Sequence, residues 1–401
     1  MAVNEGSLSS FRGVPRRYNV AIPSPLTIGT APGESPGLTE AGGGAPAALP
    51  APAASRLASV ASVRFDRFIL GPAADLFFFG PGATVVVAGI LLALPLLGAG
   101  AAGVATTVTA ALSFLLVGPH YAATYRRAYT SRAVVSAHPW VTLVAPPILL
   151  AAALLAVHYP TTVGLAYFGL YVGWSGYHYS GQSLGLAMLY PLRQGARLEP
   201  REKRLISLPL YVSWILSLLG LFRLSSSARN PAYEAVRHAY LGPPLPTWGV
   251  ALGLGVLAVS LTGVWTVARA RRARGTPLPW PTYAVLSAQI AWFTIGLYQP
   301  LFNILLVPMF HGLQYLGLTS WHAAREPGTA GLARFARYLL VVLLLGLVVN
   351  PGLFMIFRGS DAGRALLSAA AVTSFVNLHH FLLDGRIWRL RERRVVQSMV
   401  A

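Results

Sequence analysis

Four short motifs in this chain combine histidine with aromatic or amide side chains. Imidazole in or beside hydrocarbon is costly unless it is hydrogen-bonded or bound to a metal, and histidine is the commonest metal ligand in proteins. Several such motifs together therefore predict a shared metal site. The motifs are Gly118-Pro119-His120-Tyr121, Tyr177-His178-Tyr179-Ser180-Gly181-Gln182, Phe310-His311-Gly312-Leu313-Gln314-Tyr315 and Asn377-Leu378-His379-His380.

Helical spacing predicts polar partners on the same face as two of these histidines. Gln182 follows His178 at i+4, while Gln314 and Tyr315 follow His311 at i+3 and i+4. Residues at these spacings are neighbours on a helix surface. Each motif therefore brings groups that could position a reacting molecule beside an imidazole.

The adjacent pair His379 and His380 presents a choice that the sequence leaves open. Consecutive helical side chains point about 100° apart, so one of the two faces the helix bundle and the other faces elsewhere. Asp384 lies at i+4 from His380 and could bind a metal or fix an imidazole by hydrogen bonding. The alternative for Asp384 is an ion pair with Arg386 or Arg389 at a membrane surface.

Two further features bear on these motifs. Pro119 directly precedes His120 and is expected to kink or end its helix. His322 follows His311 by eleven residues, which returns to nearly the same helix face about three turns away. That distance is too long for both to bind one ion, but the two histidines could belong to a site and to its entrance, and the role of His322 stays open.

The residue types that the chain lacks limit which metals and reactions the predicted site could support. The chain has no cysteine, which excludes disulfides, thiolate ligands and a cysteine nucleophile. Acidic residues are few, and none falls in the middle of an apolar run. Magnesium-dependent chemistry usually needs carboxylates at the membrane face, and ion-coupled transport usually needs one within the membrane, so neither is well supported. Histidine-rich ligation suits zinc, copper or iron.

Composition indicates an integral membrane protein. Of 401 residues, 55% are hydrophobic and 11% are charged, against about 25% charged in a soluble domain. The net charge of +19 comes from arginines between apolar runs, which is typical of the positive-inside pattern rather than of nucleic-acid binding. The abundance of Ala, Gly, Pro and Arg is typical of a GC-rich bacterial genome, and the bacterial inner membrane is the expected location.

The chain divides into three parts. Residues 1–60 are rich in Pro, Gly, Ala and Ser and are predicted to be a disordered tail, residues 61–385 a helical membrane domain, and residues 386–401 a basic cytoplasmic tail. The stretch 68–78 is predicted to be an interfacial segment. We therefore expect an all-α, polytopic bundle of about ten transmembrane helices. The predicted spans are 79–99, 102–121, 139–157, 161–184, 205–222, 247–268, 281–298, 300–321, 336–357 and 364–383.

The arginine-rich loops predict the orientation of the bundle. Arg and Lys cluster before the first span and after every second one, so both termini are expected in the cytoplasm. The four motifs then fall on four helices that run inward, near the inner leaflet. His138, His158 and His238 lie in loops and are set apart from the predicted site.

The order of the motifs resembles the Brp/Blh family of membrane β-carotene cleavage dioxygenases. The similar elements are Gly118-Pro119-His120, Ser175-Gly176-Tyr177-His178-Tyr179 and Phe310-His311-Gly312-Leu313. The resemblance implies a non-heme iron site on His120, His178 and His311, with O₂ used to cleave a carotenoid. The family's fourth ligand follows the third at i+4, where this chain has Tyr315, so His379 or His380 would have to replace it.

These observations favour a membrane metalloenzyme that uses iron and O₂ on a hydrophobic small molecule or lipid. Two alternatives remain open at this point: a multi-pass transporter or channel for an anionic or lipid-like solute, and a haem-binding membrane protein. The predicted metal ligands are His120, His178, His311 and either His379 or His380. The residues predicted to position intermediates are Tyr179, Gln182, Gln314, Tyr315 and Asp384.

Overall fold

The computed structural model describes most of the predicted membrane domain, and every regular element in the described residues is helical. This confirms the all-α prediction. The predicted tail 1–60 lies outside the described residues, as does most of 386–401. The described residues are 68–93, 98–224, 247–298, 302–325, 331–357, 362–388, 395 and 399.

Twelve α-helices occur within these residues, and short π-helical turns at Trp140–Val144, Pro160–Gly164 and Phe302–Leu306 precede three of them. The helices are α1 (Pro72–Phe78), α2 (Gly82–Ala93), α3 (Ala99–Tyr129), α4 (Arg132–Ala137), α5 (Ala145–His158), α6 (Leu165–Arg193), α7 (Pro200–Leu224), α8 (Thr247–Ala273), α9 (Trp280–Tyr298), α10 (Val307–Ala324), α11 (Leu332–Phe357) and α12 (Ala362–Ile387).

A helix occupies each of the ten segments that the apolar runs predicted, although several helices extend further. Helix α3 continues through Pro119 to Tyr129 instead of ending near residue 121. Its extension is anchored because Ala122, Ala123 and Ala128 are buried against neighbouring helices. The predicted interfacial segment contains α1, which is bent by 56° from the following helix.

Two helices are long and apolar enough to cross a membrane by length and composition, Trp140–His158 and Trp248–Ala273. A third span results if the bent pair α1 and α2 counts as one. The described part of the chain thus holds two or three candidate spans by this measure, against the ten predicted. Helices such as α6 have lower mean hydropathy because they carry buried polar groups, including Ser180 and Ser183.

The four helices that carry the histidine motifs lie side by side. Helix α3 packs against α10, α11 and α12, and α12 also packs against α5 and α6. The core beneath them includes Trp292, Phe310 and Tyr179. Residues far apart in sequence therefore meet at the centre of the bundle.

Two glycine contacts bring neighbouring backbones close to His120. A Cβ atom on Gly118 would lie 2.8 Å from the carbonyl oxygen of Gly346, and one on Gly346 would overlap the backbone of Pro119. A Cβ atom on Gly312 would lie 3.1 Å from the carbonyl oxygen of Leu116. Small residues let helices approach closely, and here they set α3 against α10 and α11 next to the histidine.

Candidate metal centre

Four histidines from four different helices converge inside the bundle. They are His120 on α3, His178 on α6, His311 on α10 and His380 on α12, and one ring nitrogen from each lies within 4.8 Å of the others. The Nε2 atoms of His178 and His380 are 3.2 Å apart. Such a convergence of imidazole nitrogens is the geometry in which one ion can be shared by all four rings.

Most nitrogens of this imidazole cluster have no hydrogen-bond partner in the described part of the chain. Both ring nitrogens of His120 and of His311 are buried and unpartnered, and so is Nδ1 of His380. A buried polar atom without a partner costs about 1–3 kcal/mol. The lone pair of a neutral imidazole is also what binds a metal. The side chains present therefore fit a metal ion held by nitrogen.

Asp384 adds a carboxylate at the edge of the imidazole cluster. Its Oδ2 atom lies 3.4 Å from Nε2 of His380 and 3.9 Å from Nε2 of His178. Its Oδ1 atom accepts hydrogen bonds from Thr124 and Tyr315, each at 2.9 Å. The second oxygen is thereby held toward the rings, where it can orient an imidazole or bind the ion itself.

Tyr315 links this carboxylate to the end of the bundle. Its hydroxyl donates to Asp384 and accepts a hydrogen bond of 2.8 Å from the indole nitrogen of Trp388. The ring of Trp388 in turn lies under the guanidinium of Arg127, 3.9 Å from the ring centroid. The Tyr315 ring also packs against His120, with centroids 4.4 Å apart. Tyr315 therefore contacts both an imidazole and the carboxylate that faces the imidazoles.

His379 lies outside the imidazole cluster. Its Nε2 atom is 2.9 Å from the carbonyl oxygen of Val141, and its Nδ1 atom is 3.3 Å from the hydroxyl of Tyr125. The angle between consecutive helical side chains sends His380 inward and His379 toward α3 and the segment before α5. Both nitrogens of His379 already have protein partners.

Gln182 and Gln314 connect helices beside the imidazole cluster. The Gln182 amide donates to the backbone carbonyl of His311 at 3.1 Å and lies 3.4 Å from the amide oxygen of Gln314. Gln314 donates to the carbonyl of Phe79 at 2.9 Å. The oxygen of Gln182 is buried without a partner in the described residues. Gln314 thus positions helices, whereas Gln182 keeps one free acceptor beside the site.

Aromatic rings enclose the cluster on two sides. The ring of Tyr179 packs against His311 with centroids 4.3 Å apart, and Phe381 stacks on His178 at 4.5 Å. These contacts restrict rotation of the imidazoles. They also keep the surroundings of the cluster largely apolar.

A cavity of about 290 Å³ adjoins the imidazole cluster. His178, Asp384 and Tyr315 line its inner side, while Tyr177 and Tyr211 line its outer side. Tyr177 is 50% exposed, so the cavity reaches the surface of the bundle beside α6. A small molecule or part of a larger one could reach His178 by this path.

The remaining histidines in the described residues lie elsewhere. His138 ends α4 and His158 is exposed at the end of α5. His322 lies near the surface with Nδ1 3.4 Å from a guanidinium nitrogen of Arg127. His238 lies outside the described residues.

Three residues at the site were not predicted there from the sequence: Thr124, Phe381 and Trp388. Two of them carried a usable signal. Thr124 follows His120 at i+4 and Trp388 follows Asp384 at i+4, so each lies on the same face as a residue already predicted. Phe381 precedes Asp384 by three residues, but its contact with His178 depends on how α6 and α12 pack.

No protein-family model, curated protein or solved structure matches this chain.

Proposed function

We propose that this protein is a membrane-embedded oxidoreductase that holds non-heme iron and uses O₂ on a hydrophobic substrate such as a carotenoid or lipid. The ligands would be His120, His178, His311 and His380. One observation supports this most directly: five buried imidazole nitrogens of three of these residues lack partners in the described part of the chain. Unpartnered nitrogens at one point are costly unless an ion occupies it.

The choice of iron rests on the donor set and on the resemblance to the carotene cleavage dioxygenases. Four imidazoles with one nearby carboxylate suit iron better than magnesium or calcium, which prefer oxygen ligands. Three of the ligands coincide with the histidines of the resembling motifs, and His380 supplies the fourth. When bound, the iron would supply the binding and activation of O₂.

The protein's own groups would orient the ligands and limit water. Thr124 and Tyr315 hold one oxygen of Asp384, which leaves the other toward His178 and His380. A carboxylate in this position fixes the orientation of an imidazole and increases its basicity. The ring of Phe381 stacks on His178 and would shield that face of the imidazole from water.

The cavity suits an apolar substrate. Aromatic side chains line its outer part, including Trp174, Tyr177 and Tyr211. Its volume of about 290 Å³ is at the lower end of ordinary ligand pockets, which span roughly 300–1,000 Å³. We therefore expect it to hold only the reacting part of a long molecule, with the rest lying along the exposed surface beside Tyr177.

We further propose that about ten helices cross the bacterial inner membrane, with both termini in the cytoplasm. Arginine-rich loops after every second span support this orientation. Exposed large apolar side chains along α8 support contact with lipid, among them Trp248, Leu252, Val259 and Trp265. The imidazole cluster would then lie toward the inner leaflet.

The direct test combines metal analysis with substrate turnover. Protein purified in detergent is expected to contain near-stoichiometric iron and to consume O₂ together with β-carotene. His178→Ala should lose both properties, whereas the exposed His158→Ala should keep them. If iron, copper and zinc are all substoichiometric in the wild-type protein and do not fall in His178→Ala, the metalloenzyme proposal fails.

An absorption spectrum of the same purified protein tests the haem-binding alternative. A haem held by two of these histidines needs space for a flat macrocycle between the rings. His120 and His380 have ring centroids 4.3 Å apart, and the rings of His178 and His311 close the remaining sides. We therefore expect no Soret band in the absorption spectrum.

A further inference from the structure

A second, larger cavity of about 960 Å³ lies at the end of the bundle near the last turn of α3. Arginines from two helices line it, Arg126 and Arg127 on α3 and Arg334 and Arg337 on α11. Thr130 adds a hydroxyl group. No Asp or Glu is among the described residues that line this cavity, which we call the arginine pocket. The guanidinium groups of Arg126 and Arg337, on two different helices, favour an anionic ligand in this cavity.

One arginine of the pocket is held in place by an aromatic ring. The guanidinium of Arg126 lies 4.9 Å from the centroid of Tyr338. Stacking on a ring uses the flat face of a guanidinium and leaves its N–H groups in the plane, where they bind phosphate oxygens in pairs. The first turn of α11 also contributes to the pocket, and a helix N-terminus favours negative charge.

An apolar stripe continues from the arginine pocket along α11. Ala333 and Arg337 line the pocket, and Leu340, Leu344 and Leu347 follow at spacings of three or four residues on the same helix face. These leucines are exposed to 56%, 55% and 40%. A basic cavity at the head of an exposed leucine stripe matches a molecule with an anionic end and an apolar chain.

We propose that the arginine pocket binds the phosphate-bearing headgroup of an anionic phospholipid, with an acyl chain along the leucine stripe of α11. The volume suits a headgroup larger than a single phosphate ion. Basic pockets between membrane helices on the cytoplasmic side bind acidic headgroups by the same electrostatics. This proposal does not depend on the identity of the metal or on the reaction at the imidazole cluster.

The test measures lipid binding to the full chain in detergent by native mass spectrometry. Phosphatidylglycerol is titrated against phosphatidylcholine, which carries no net charge, and we expect clear preference for phosphatidylglycerol. The double variant Arg126→Gln/Arg337→Gln should weaken phosphatidylglycerol binding about 25-fold, since each basic residue near an acidic headgroup contributes roughly fivefold. Equal binding of the two lipids, or unchanged binding by the double variant, would overturn the proposal.

Two further variants separate charge from folding. Arg126→Lys/Arg337→Lys keeps the charge but loses the paired N–H groups, so it should bind phosphatidylglycerol more tightly than the glutamine variant and less tightly than the wild-type protein. A folding defect would not be rescued by lysine. Arg269→Gln/Arg272→Gln removes two exposed arginines of α8 outside the pocket and should leave phosphatidylglycerol binding unchanged. Loss of binding in this control would show that total charge, not the pocket, is responsible.

Competition with a soluble ligand tests whether the acyl chain contributes to binding. Glycerol 3-phosphate has the same phosphate chemistry without acyl chains. We expect it to compete weakly, because it cannot contact Leu340 and Leu344. If it binds as tightly as phosphatidylglycerol, the pocket serves a soluble phosphorylated compound and the lipid assignment is wrong.

Discussion

The imidazole cluster and a glutamate–arginine cluster formed by Glu202 and Arg271 differ in whether the described protein groups satisfy their polar atoms. In one, Glu202 on α7 receives hydrogen bonds of 3.0 and 2.7 Å from the buried Arg271 on α8. Arg271 also donates to the carbonyl oxygen of Arg197, and the backbone N–H of Glu199 donates to Glu202. In the imidazole cluster, by contrast, the ring nitrogens face one another with few protein partners.

The difference distinguishes a structural cluster from a binding site. A buried ion pair is stable only when hydrogen bonds satisfy its remaining polar atoms, and the glutamate–arginine cluster meets that condition. The imidazole cluster does not meet it within the described residues, although His120, His311 and His380 are more deeply buried than Glu202 and Arg271. The metal ion that we propose would complete it.

The largest expected contrast is between two adjacent histidines. His380→Ala should abolish stoichiometric metal, because it removes a ring from the cluster. His379→Ala should retain the metal, because that ring is hydrogen-bonded to Val141 and Tyr125 instead. Metal content by mass spectrometry measures both, and equal loss in the two variants would place the site elsewhere.

Removal of one partner from the glutamate–arginine cluster should reduce stability and leave the metal bound. Glu202→Ala leaves the buried Arg271 without its carboxylate partner. Breaking a buried ion pair in this way reduces the free energy of unfolding by about 3 kcal/mol. Thermal unfolding in detergent measures the loss, with Glu199→Ala as control because that side chain is 64% exposed. If Glu202→Ala lost metal without losing stability, the structural role assigned to the glutamate–arginine cluster would be wrong.

Asp384→Asn should weaken the metal site without destroying it. The amide keeps the size of the side chain but loses the negative charge beside His178 and His380. Loss of a carboxylate that orients a ligating histidine costs about 10- to 100-fold in metal affinity. Competition with a chelator measures the affinity, and Thr124→Val should produce a smaller shift in the same direction.

The smallest expected effect is the response of the glutamate–arginine cluster to acid. Burial raises the pKa of Glu202, but hydrogen bonds from Arg271, the Glu199 backbone and Arg274 outweigh it and lower the pKa from 4.5 to about 2. Glu202 lies before the predicted span 205–222. A lowered pKa gives stability that is fully present above pH 4.5 and is lost as the pH falls toward 2. Unfolding midpoints at pH 6 and pH 3 should differ less in Glu202→Gln than in the wild-type protein.

Local sequence patterns were sufficient to predict the helices and most of the candidate ligands. Apolar runs identify helical segments, and spacing at i+4 puts Gln182 near His178 and Asp384 near His380. The choice between His379 and His380 could not be made, because it depends on the rotation of α12 against α3 and α6. Hydropathy alone also did not predict that α3 continues to Tyr129.

The contacts of individual arginines also could not be predicted from local sequence patterns. In the sequence they indicated only which loops face the cytoplasm. In the structure they form two different arrangements: Arg271 and Arg274 pair with Glu202, while Arg126 and Arg337 line a cavity. Which arrangement an arginine joins depends on the helix beside it, and contacts between distant segments have no local signature.

The stacking of Arg127 on Trp388 connects the two cavities through a series of contacting side chains. Arg127 lines the arginine pocket, and Trp388, Tyr315 and Asp384 continue from it by direct contacts to His380. If a headgroup changes the position of Arg127, it changes the hydrogen bonds that hold Asp384, and with them the affinity for the metal. Linkage is reciprocal, so the metal must then alter lipid affinity by the same factor. The lipid composition of the membrane would thereby act as an effector of the metal site.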